Sequence, residues 1–300
     1  MTHPENLCDV SVVLPIYNER GHLREEISRI RKALDDSKYS YEIIVIDDGS
    51  DDGSERDLES IPDIRLIRHP VNRGSGAARR TGTNAAVGRV VVWTDVDMTY
   101  PNDEIPWLVD QMQGYDHVVG ARRTEEGTLK IFRKPAKWFI RKLASYLTET
   151  DIKDLNSGLR AFRRDVALQY VHHLPNGFSC VTTLTMSFLA NGYTVGYVPI
   201  DYFPRAGRSK FHWWRDTKRY ILQVIRMTLS YNPLKVFLPF GGILFVVAVA
   251  KLGFDWSSRD FRLSTNTLLI FFAALQVTTL GLLADLVVRA TRRPLDVDPV

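Results

Sequence analysis

The sequence predicts an α/β fold: a mostly parallel sheet with helices on both faces, followed by an amphipathic helix and a pair of membrane-spanning helices. Three observations carry this. From residue 10 onward short apolar runs alternate with helical periodicities, the pattern of a doubly wound sheet. Charges spread through roughly the first 230 residues vanish from Val236 to Ala250 and again from Ser264 to Ala284. Asp95 and Asp97 follow the apolar run Val91-Val92-Trp93, so two carboxylates emerge where a buried strand becomes a loop. Open α/β sheets bind their ligands at such ends.

Taken in order, Val10 to Pro15 is an apolar strand, and Glu19 to Leu34 has helical spacing at Leu23, Ile27, Ile30 and Leu34. Tyr41 to Ile46 is a second buried strand, ending in Asp47-Asp48-Gly49-Ser50. Ile64 to Ile67 reads as a third, Gly74 to Val87 as a small-residue helix packed close to the sheet, and Val90 to Trp93 as the fourth strand. Val118-Val119-Gly120 is a further strand. After it come a basic stretch from Arg122 to Lys142, a loop at Asp154 to Arg160, helices near Asp165 and Thr182, and a strand at Thr194 to Pro199. Trp213 to Ser230 mixes Trp, Tyr, Ile and Leu with Arg and Lys, as a helix lying on a membrane surface does.

A spanning helix needs about 20 mainly apolar residues. The stretch from Ser264 satisfies this; the one from Val236 does so when Leu234, Leu252 and Phe254 join it, with Lys235 and Lys251 snorkelling. The short segment between them puts both chain ends on one side. Lys210, Arg215, Lys218, Arg219, Arg226 and Lys235 precede the hairpin and Arg289, Arg292 and Arg293 follow it, which orients those ends toward the cytoplasm. The expected organisation is a cytoplasmic domain at 1–212, a juxtamembrane helix at 213–233, a hairpin at 234–289 (helices at about 234–254 and 265–288) and a cytoplasmic tail at 290–300. Glu5 and Asp9, with no apolar run, make no signal peptide. Cys8 and Cys180 form neither a disulfide framework nor a zinc spacing. The net charge of +4 clusters near the hairpin, which favours anionic lipid over nucleic acid, for which no recognition motif is present.

Asp-x-Asp alone is weak evidence, but a hard divalent cation, Mg²⁺ or Mn²⁺, takes one or two carboxylates and leaves room for phosphates and water. The surroundings strengthen it. Val12-Val13-Leu14-Pro15-Ile16-Tyr17-Asn18-Glu19, Ile46-Asp47-Asp48-Gly49-Ser50, Asn72-Arg73-Gly74-Ser75-Gly76-Ala77-Ala78 and Thr94-Asp95-Val96-Asp97 occur in that order. Together they resemble the family 2 inverting glycosyltransferases, whose catalytic domain has the Rossmann-like GT-A fold. More narrowly, Asp154-Leu155-Asn156-Ser157-Gly158-Leu159-Arg160, Arg205-Ala206-Gly207-Arg208-Ser209-Lys210 and the C-terminal hairpin resemble the polyprenyl-phosphate hexosyltransferases. These include the dolichyl-phosphate mannose synthases and undecaprenyl-phosphate glucosyltransferases, and the resemblance covers nearly the whole chain.

The resemblance implies transfer of a hexose from UDP- or GDP-hexose to a polyprenyl phosphate, inverting the anomeric centre, in an integral membrane enzyme. Asp47 or Asp48 would accept from the base, with Pro15, Tyr17 and Glu19 shaping the pocket; the same acidic turn also reads as a helix cap. Gly74 and Gly76 read either as close backbone approach to the nucleotide or as helix packing. Asp95 and Asp97 would hold the cation on the diphosphate. Relatives often have Gln two residues further on as a third ligand, where this chain has Thr99, whose hydroxyl or a water would fill that position.

A lipid phosphate is anionic near neutral pH, with a second pKa of about 6, so the acceptor needs cations rather than a general base. Arg122, Arg133, Lys134, Arg205 and Lys210 are the candidates, with Ser157 and Arg160 lining the acceptor side and Asp154 orienting a sugar hydroxyl or the basic residues. Arg122, Arg205 and Lys210 join the acid pair as catalytic candidates. Two other readings stay open: another membrane acceptor, diacylglycerol or polysaccharide, and an inactive nucleotide-sugar-binding scaffold. The sequence leaves homo-oligomerisation open.

Overall fold

A computed structural model describes residues 8–123, 149–203, 232–258 and 264–291, together with residues 142, 145, 146, 222, 225, 226 and 229. The chain divides into two compact units, Met1–Val224 and Ile225–Val300.

The first unit is built on a seven-stranded sheet in the order β3-β2-β1-β4-β6-β5-β7. Its strands are β1 (Cys8–Ile16), β2 (Tyr41–Asp47), β3 (Arg65–Arg68), β4 (Gly88–Trp93), β5 (His117–Arg122), β6 (Arg160–Arg163) and β7 (Val195–Ile200). The helices that matter here are α1 (Leu23–Asp35), α2 (Ser54–Glu59), α3 (Ser75–Ala85), α4 (Ile105–Asp110), α5 (Arg164–Leu168) and α6 (Cys180–Ala190). β1 runs parallel to β2 and β4, β2 to β3, and β5 to β7, while β6 is antiparallel to both neighbours.

Both faces of the sheet are covered, which is why its strands are continuously apolar rather than alternating. Val12, Leu14, Ile43, Val45 and Val92 pack under Leu23, Ile27, Ile30 and Leu34 of α1 and Ile105 and Leu108 of α4. Val13, Ile44, Ile46, Val91 and Trp93 pack under Ala78 of α3, Val166 of α5 and Leu184 and Phe188 of α6. The close approach of α3 to the sheet is made at Gly82, where an added Cβ would lie 2.4 Å from Val13 Cγ1 and 2.6 Å from Ile46 Cδ1.

Three local differences from the sequence reading have physical causes. α1 begins at Leu23, not Glu19, because Asn18 takes φ +53° in a turn bonded to Ser50 and Asp51. α2 and α4, six residues each, are too short to show a helical period. Arg160, expected in a loop, opens β6, whose four residues are set by pairing with β4 and β5 from distant parts of the chain. Of the expected amphipathic helix, Leu222, Ile225, Arg226 and Leu229 are helical, and the rest lies outside the described residues.

The second unit contains α7 (Leu234–Ser258) and α8 (Thr265–Thr291). Both are long and apolar enough to cross a membrane, and each extends a turn or so past the expected ends. Phe240, Val246, Leu269, Phe272 and Leu286 are exposed along them. The helices meet at small residues: a Cβ on Gly241 would sit 2.4 Å from Thr278 Oγ1, and one on Gly281 2.5 Å from Phe237 Cβ. Near the turn Asp255 is buried and accepts from Ser264 Oγ at 2.7 Å and Thr267 Oγ1 at 2.5 Å, tying the end of α7 to the start of α8.

Candidate active site

The carboxyl ends of β1, β2 and β4 lie side by side, with β2 and β3 to one side of β1 and β4 to the other. This reversal of strand order opens a crevice. The turns after β1 and β2 are stitched together: Asn18 N donates to Ser50 Oγ at 3.1 Å, and Asn18 Nδ2 to Asp51 Oδ1 at 2.7 Å. Pro15, Tyr17 and Glu19 are half-buried, and at the end of β1 the Asp48 N–H donates to Ile16 O at 2.8 Å.

The two adjacent acids differ in use. Asp47 Oδ1 accepts the Ser50 N–H at 3.0 Å, which closes the turn. Asp48 is committed inward: its carboxylate accepts from the backbone of Arg73 at 3.1 Å and Gly74 at 2.7 Å, and from His69 Nδ1 at 2.6 Å. His69 Nε2 in turn lies 2.9 Å from Thr81 Oγ1 on α3. Asp48 therefore moors the 69–74 loop.

At the N-terminus of α3 the Gly76 N–H donates to Asn176 O at 2.7 Å. An added Cβ on Gly74 would lie 2.4 Å from Asn176 O, and one on Gly76 2.0 Å from Pro175 O. Arg80 closes the same contact, donating to Leu174 O at 2.6 Å and Asn176 Oδ1 at 2.8 Å. Packing against the 174–177 loop leaves no room for a side chain at either glycine.

The acid pair follows β4. Thr94 Oγ1 donates to Asn102 Oδ1 at 2.6 Å, and Asn102 Nδ2 to Asp95 O at 3.0 Å and to Glu26, so a buried amide closes the loop on itself. Asp95 remains about a third exposed, and its Oδ1 accepts from Arg79 Nη2 at 2.6 Å. Asp97 is buried, with Oδ1 accepting from the Thr99 hydroxyl at 2.5 Å. Thr99, through its backbone N–H and its hydroxyl, therefore holds that carboxylate in orientation. Two carboxylates at a loop mouth are a hard oxygen donor set that fits Mg²⁺ or Mn²⁺, with further positions left for phosphate and water. Among the described residues, no group of three His, Cys, Asp or Glu side chains could hold a metal ion.

The 154–160 loop covers this mouth. Gly158 N donates to Tyr100 Oη at 2.7 Å, and a Cβ there would lie 2.7 Å from Asp95 Oδ2. Burial pushes the Tyr100 phenol well up, so it stays a neutral acceptor of that bond. Asp154 grips Arg122 with both oxygens, Nε at 2.8 Å and Nη2 at 3.0 Å. Burial alone would raise the Asp154 carboxyl, but the Arg122 hydrogen bonds and charge outweigh it and hold it below the usual range. The Arg122 guanidinium also lies 5.2 Å from the Tyr202 ring centroid.

Ser157 and Arg160 point inward. Ser157 is fully buried, and Arg160 donates to Ser157 O, to Val181 O at 2.7 Å and to Thr185 Oγ1 at 3.0 Å. Burial and then the Arg79 charge lower the Arg160 pKa to about 10. Its guanidinium braces the loop against α6. Arg133, Lys134, Arg205 and Lys210 lie outside the described residues. The Phe203 N–H donates to Thr99 O at 2.9 Å, and Arg205 follows two residues later in the sequence.

Arg79, His69, Tyr100 and Tyr202 were not legible as site residues. Arg79 and Arg80 are adjacent arginines on a small-residue helix, and nothing local says which one turns inward.

The profile of Glycosyl transferase family 2 matches residues 11–171, and that of the GtrB C-terminal hairpin matches residues 232–290. The chain is 32% identical to an undecaprenyl-phosphate 4-deoxy-4-formamido-L-arabinose transferase of Aeromonas hydrophila, covering 93% of this chain and 88% of that one. It is 29% identical to a transferase of the same name from an Enterobacter species, covering 96% and 91%. Among solved structures, glucosyl-3-phosphoglycerate synthase from Mycobacterium tuberculosis, in complex with Mn²⁺, UDP-glucose and phosphoglyceric acid, is similar with a TM-score of 0.59 and 21% identity. The match covers 74% of this chain and 80% of the synthase. That likeness shows the fold.

Proposed function

This chain belongs to glycosyl transferase family 2 and carries a GtrB-type hairpin, and on that premise we propose that it transfers a sugar from a nucleoside diphosphate sugar to a polyprenyl phosphate. The observation that carries the reading is the meeting of two parts around Asp95: the acid pair after β4 on one side, and the 154–160 loop with its Arg122–Asp154 pair on the other. The names of the relatives, which specify undecaprenyl phosphate, support the acceptor.

Asp47, Pro15, Tyr17 and Glu19 receive the nucleotide. Asp95 and Asp97 hold a divalent cation, which when bound neutralises the departing diphosphate. Arg122, kept in place by Asp154, attracts the lipid phosphate, and Arg205, Lys210, Arg133 and Lys134 complete the basic side. An oxygen of that phosphate attacks the anomeric carbon from the face opposite the nucleotide. The carbon–oxygen bond to the diphosphate breaks, the nucleoside diphosphate leaves with the electron pair, and the centre inverts. No proton needs removal, because the nucleophile is already anionic. The basic flanks of the hairpin support a cytoplasmic catalytic domain at 1–212.

The sugar has two readings. A hexose follows from the motif resemblance, and a 4-formamido arabinose from the names of the relatives. Purified protein in detergent with polyprenyl phosphate, Mn²⁺ or Mg²⁺ and a panel of radiolabelled UDP- and GDP-hexoses plus the nucleotide-linked formamido-arabinose decides both. Label in an organic-extractable product, lost on chelation and in Asp95→Asn, is expected; no lipid-linked label from any donor would sink the acceptor assignment.

A further inference from the structure

The acid pair carries a cation of its own that the proposed reaction does not use. Arg79 is buried on α3 beneath Asp95, with 3% of its side chain exposed against 34% for Asp95. Its Nη2 donates to Asp95 Oδ1 at 2.6 Å, its guanidinium carbon lies 5.6 Å from the Trp93 ring centroid, and its Nη1 lies 4.0 Å from Cys180 Sγ. A planar cation held over an aromatic face and walled in by α6 has one orientation, so it fixes the carboxylate it bonds. The same contact takes one Asp95 oxygen out of use and cancels one of the two negative charges of the pair. Asp97 is partly committed too, since its Oδ1 accepts from Thr99. No group of three His, Cys, Asp or Glu side chains among the described residues could complete a metal site, and Mg²⁺ requires near-octahedral oxygen coordination.

We propose that Arg79 is a positioning residue that makes the acid pair a poor cation site by itself and a good one only when a diphosphate supplies the missing oxygens and charge. The inference rests on the diphosphate-sugar reading above for its choice of nucleotide. Cation and nucleotide then enter as mutually dependent ligands, and the empty pair does not collect stray divalent ions.

The test is a titration of full-length protein in detergent with Mn²⁺, read as free Mn²⁺ by electron paramagnetic resonance, without nucleotide and with UDP or GDP. In the wild type the Mn²⁺ Kd should be at least about tenfold weaker without nucleotide, and Arg79→Met should tighten that nucleotide-free Kd by about tenfold or more, since a unit charge a few ångströms away is removed. Transfer should nevertheless fall in Arg79→Met, because Asp95 loses the contact that orients it, and Arg79→Lys should keep the weak nucleotide-free binding. A wild-type Mn²⁺ affinity unchanged by a nucleotide that does bind overturns the proposal, and this comparison needs no variant to fold. Equal nucleotide-free affinity in wild type and a folded Arg79→Met also overturns it. If neither UDP nor GDP binds, the donor reading fails instead, and the nucleotide-free comparison still decides the role of Arg79.

Discussion

Asp154 holds Arg122 by both carboxylate oxygens, at 2.8 and 3.0 Å, with the Tyr202 ring on the guanidinium. The two residues stand 32 positions apart in the chain, and the pair joins the loop before β6 to the end of β5. A bidentate pair of this kind fixes the plane of the guanidinium.

Asp154→Asn should therefore raise the KM for polyprenyl phosphate several-fold while leaving the Kd for nucleotide unchanged. Breaking a buried pair should also cost about 3 kcal/mol of stability, measured by denaturant unfolding. The pH dependence has a definite sign. The folded carboxyl lies below its unfolded value of about 3.9, so its stabilisation is present above that value and lost as pH falls through the lower folded pKa. Wild-type stability should drop more steeply than that of Asp154→Asn below about pH 4.

Gly158→Ala would place a methyl carbon 2.7 Å from Asp95 Oδ2 and 3.2 Å from Tyr100. Moving that carboxylate by a fraction of an ångström should lower kcat by about 10- to 100-fold, with a melting temperature close to wild type. Equal kcat in the alanine variant would remove Asp95 Oδ2 from the chemistry.

The neighbours Asp47 and Asp48 should separate cleanly. Asp48→Ala leaves the Arg73 and Gly74 N–H groups and His69 without their acceptor, and should destabilise the domain by about 2 kcal/mol or more. Asp47→Ala should cost about 1 kcal/mol of stability but weaken nucleotide binding about tenfold. Calorimetric titration with UDP and GDP, paired with thermal melts, checks both.

In the hairpin, Asp255→Ala would strand the donors of Ser264 and Thr267. Unfolding of the hairpin in mixed micelles should become easier by about 1–3 kcal/mol, while the melt of the catalytic unit stays unchanged. Asp255→Asn, which keeps an acceptor, should lose less.

The sequence by itself determined six of the seven strands and the longer helices in their order, the strand end bearing Asp95 and Asp97, the family and the two apolar helices. These follow from local signals: hydrophobic period, run length and motif spacing, each written within a few consecutive residues. Tertiary structure decided what lies between residues far apart in the chain. Arg79 and Arg80 read alike, yet one turns inward to Asp95 and the other outward to the 174–176 loop. Asp47 and Asp48 read alike, yet the Asp48 carboxylate moors the loop that follows β3 while the Asp47 carboxylate accepts from Ser50 in its own turn. Gly74 and Gly76 are spaced as for a phosphate, and their missing side chains make room for the carbonyls of Asn176 and Pro175. β6 is a strand because β4 and β5 flank it, not because Arg160–Arg163 favours one. In each case the choice depends on which partner a side chain or backbone group meets across the fold, and that partner is absent from any local window of sequence.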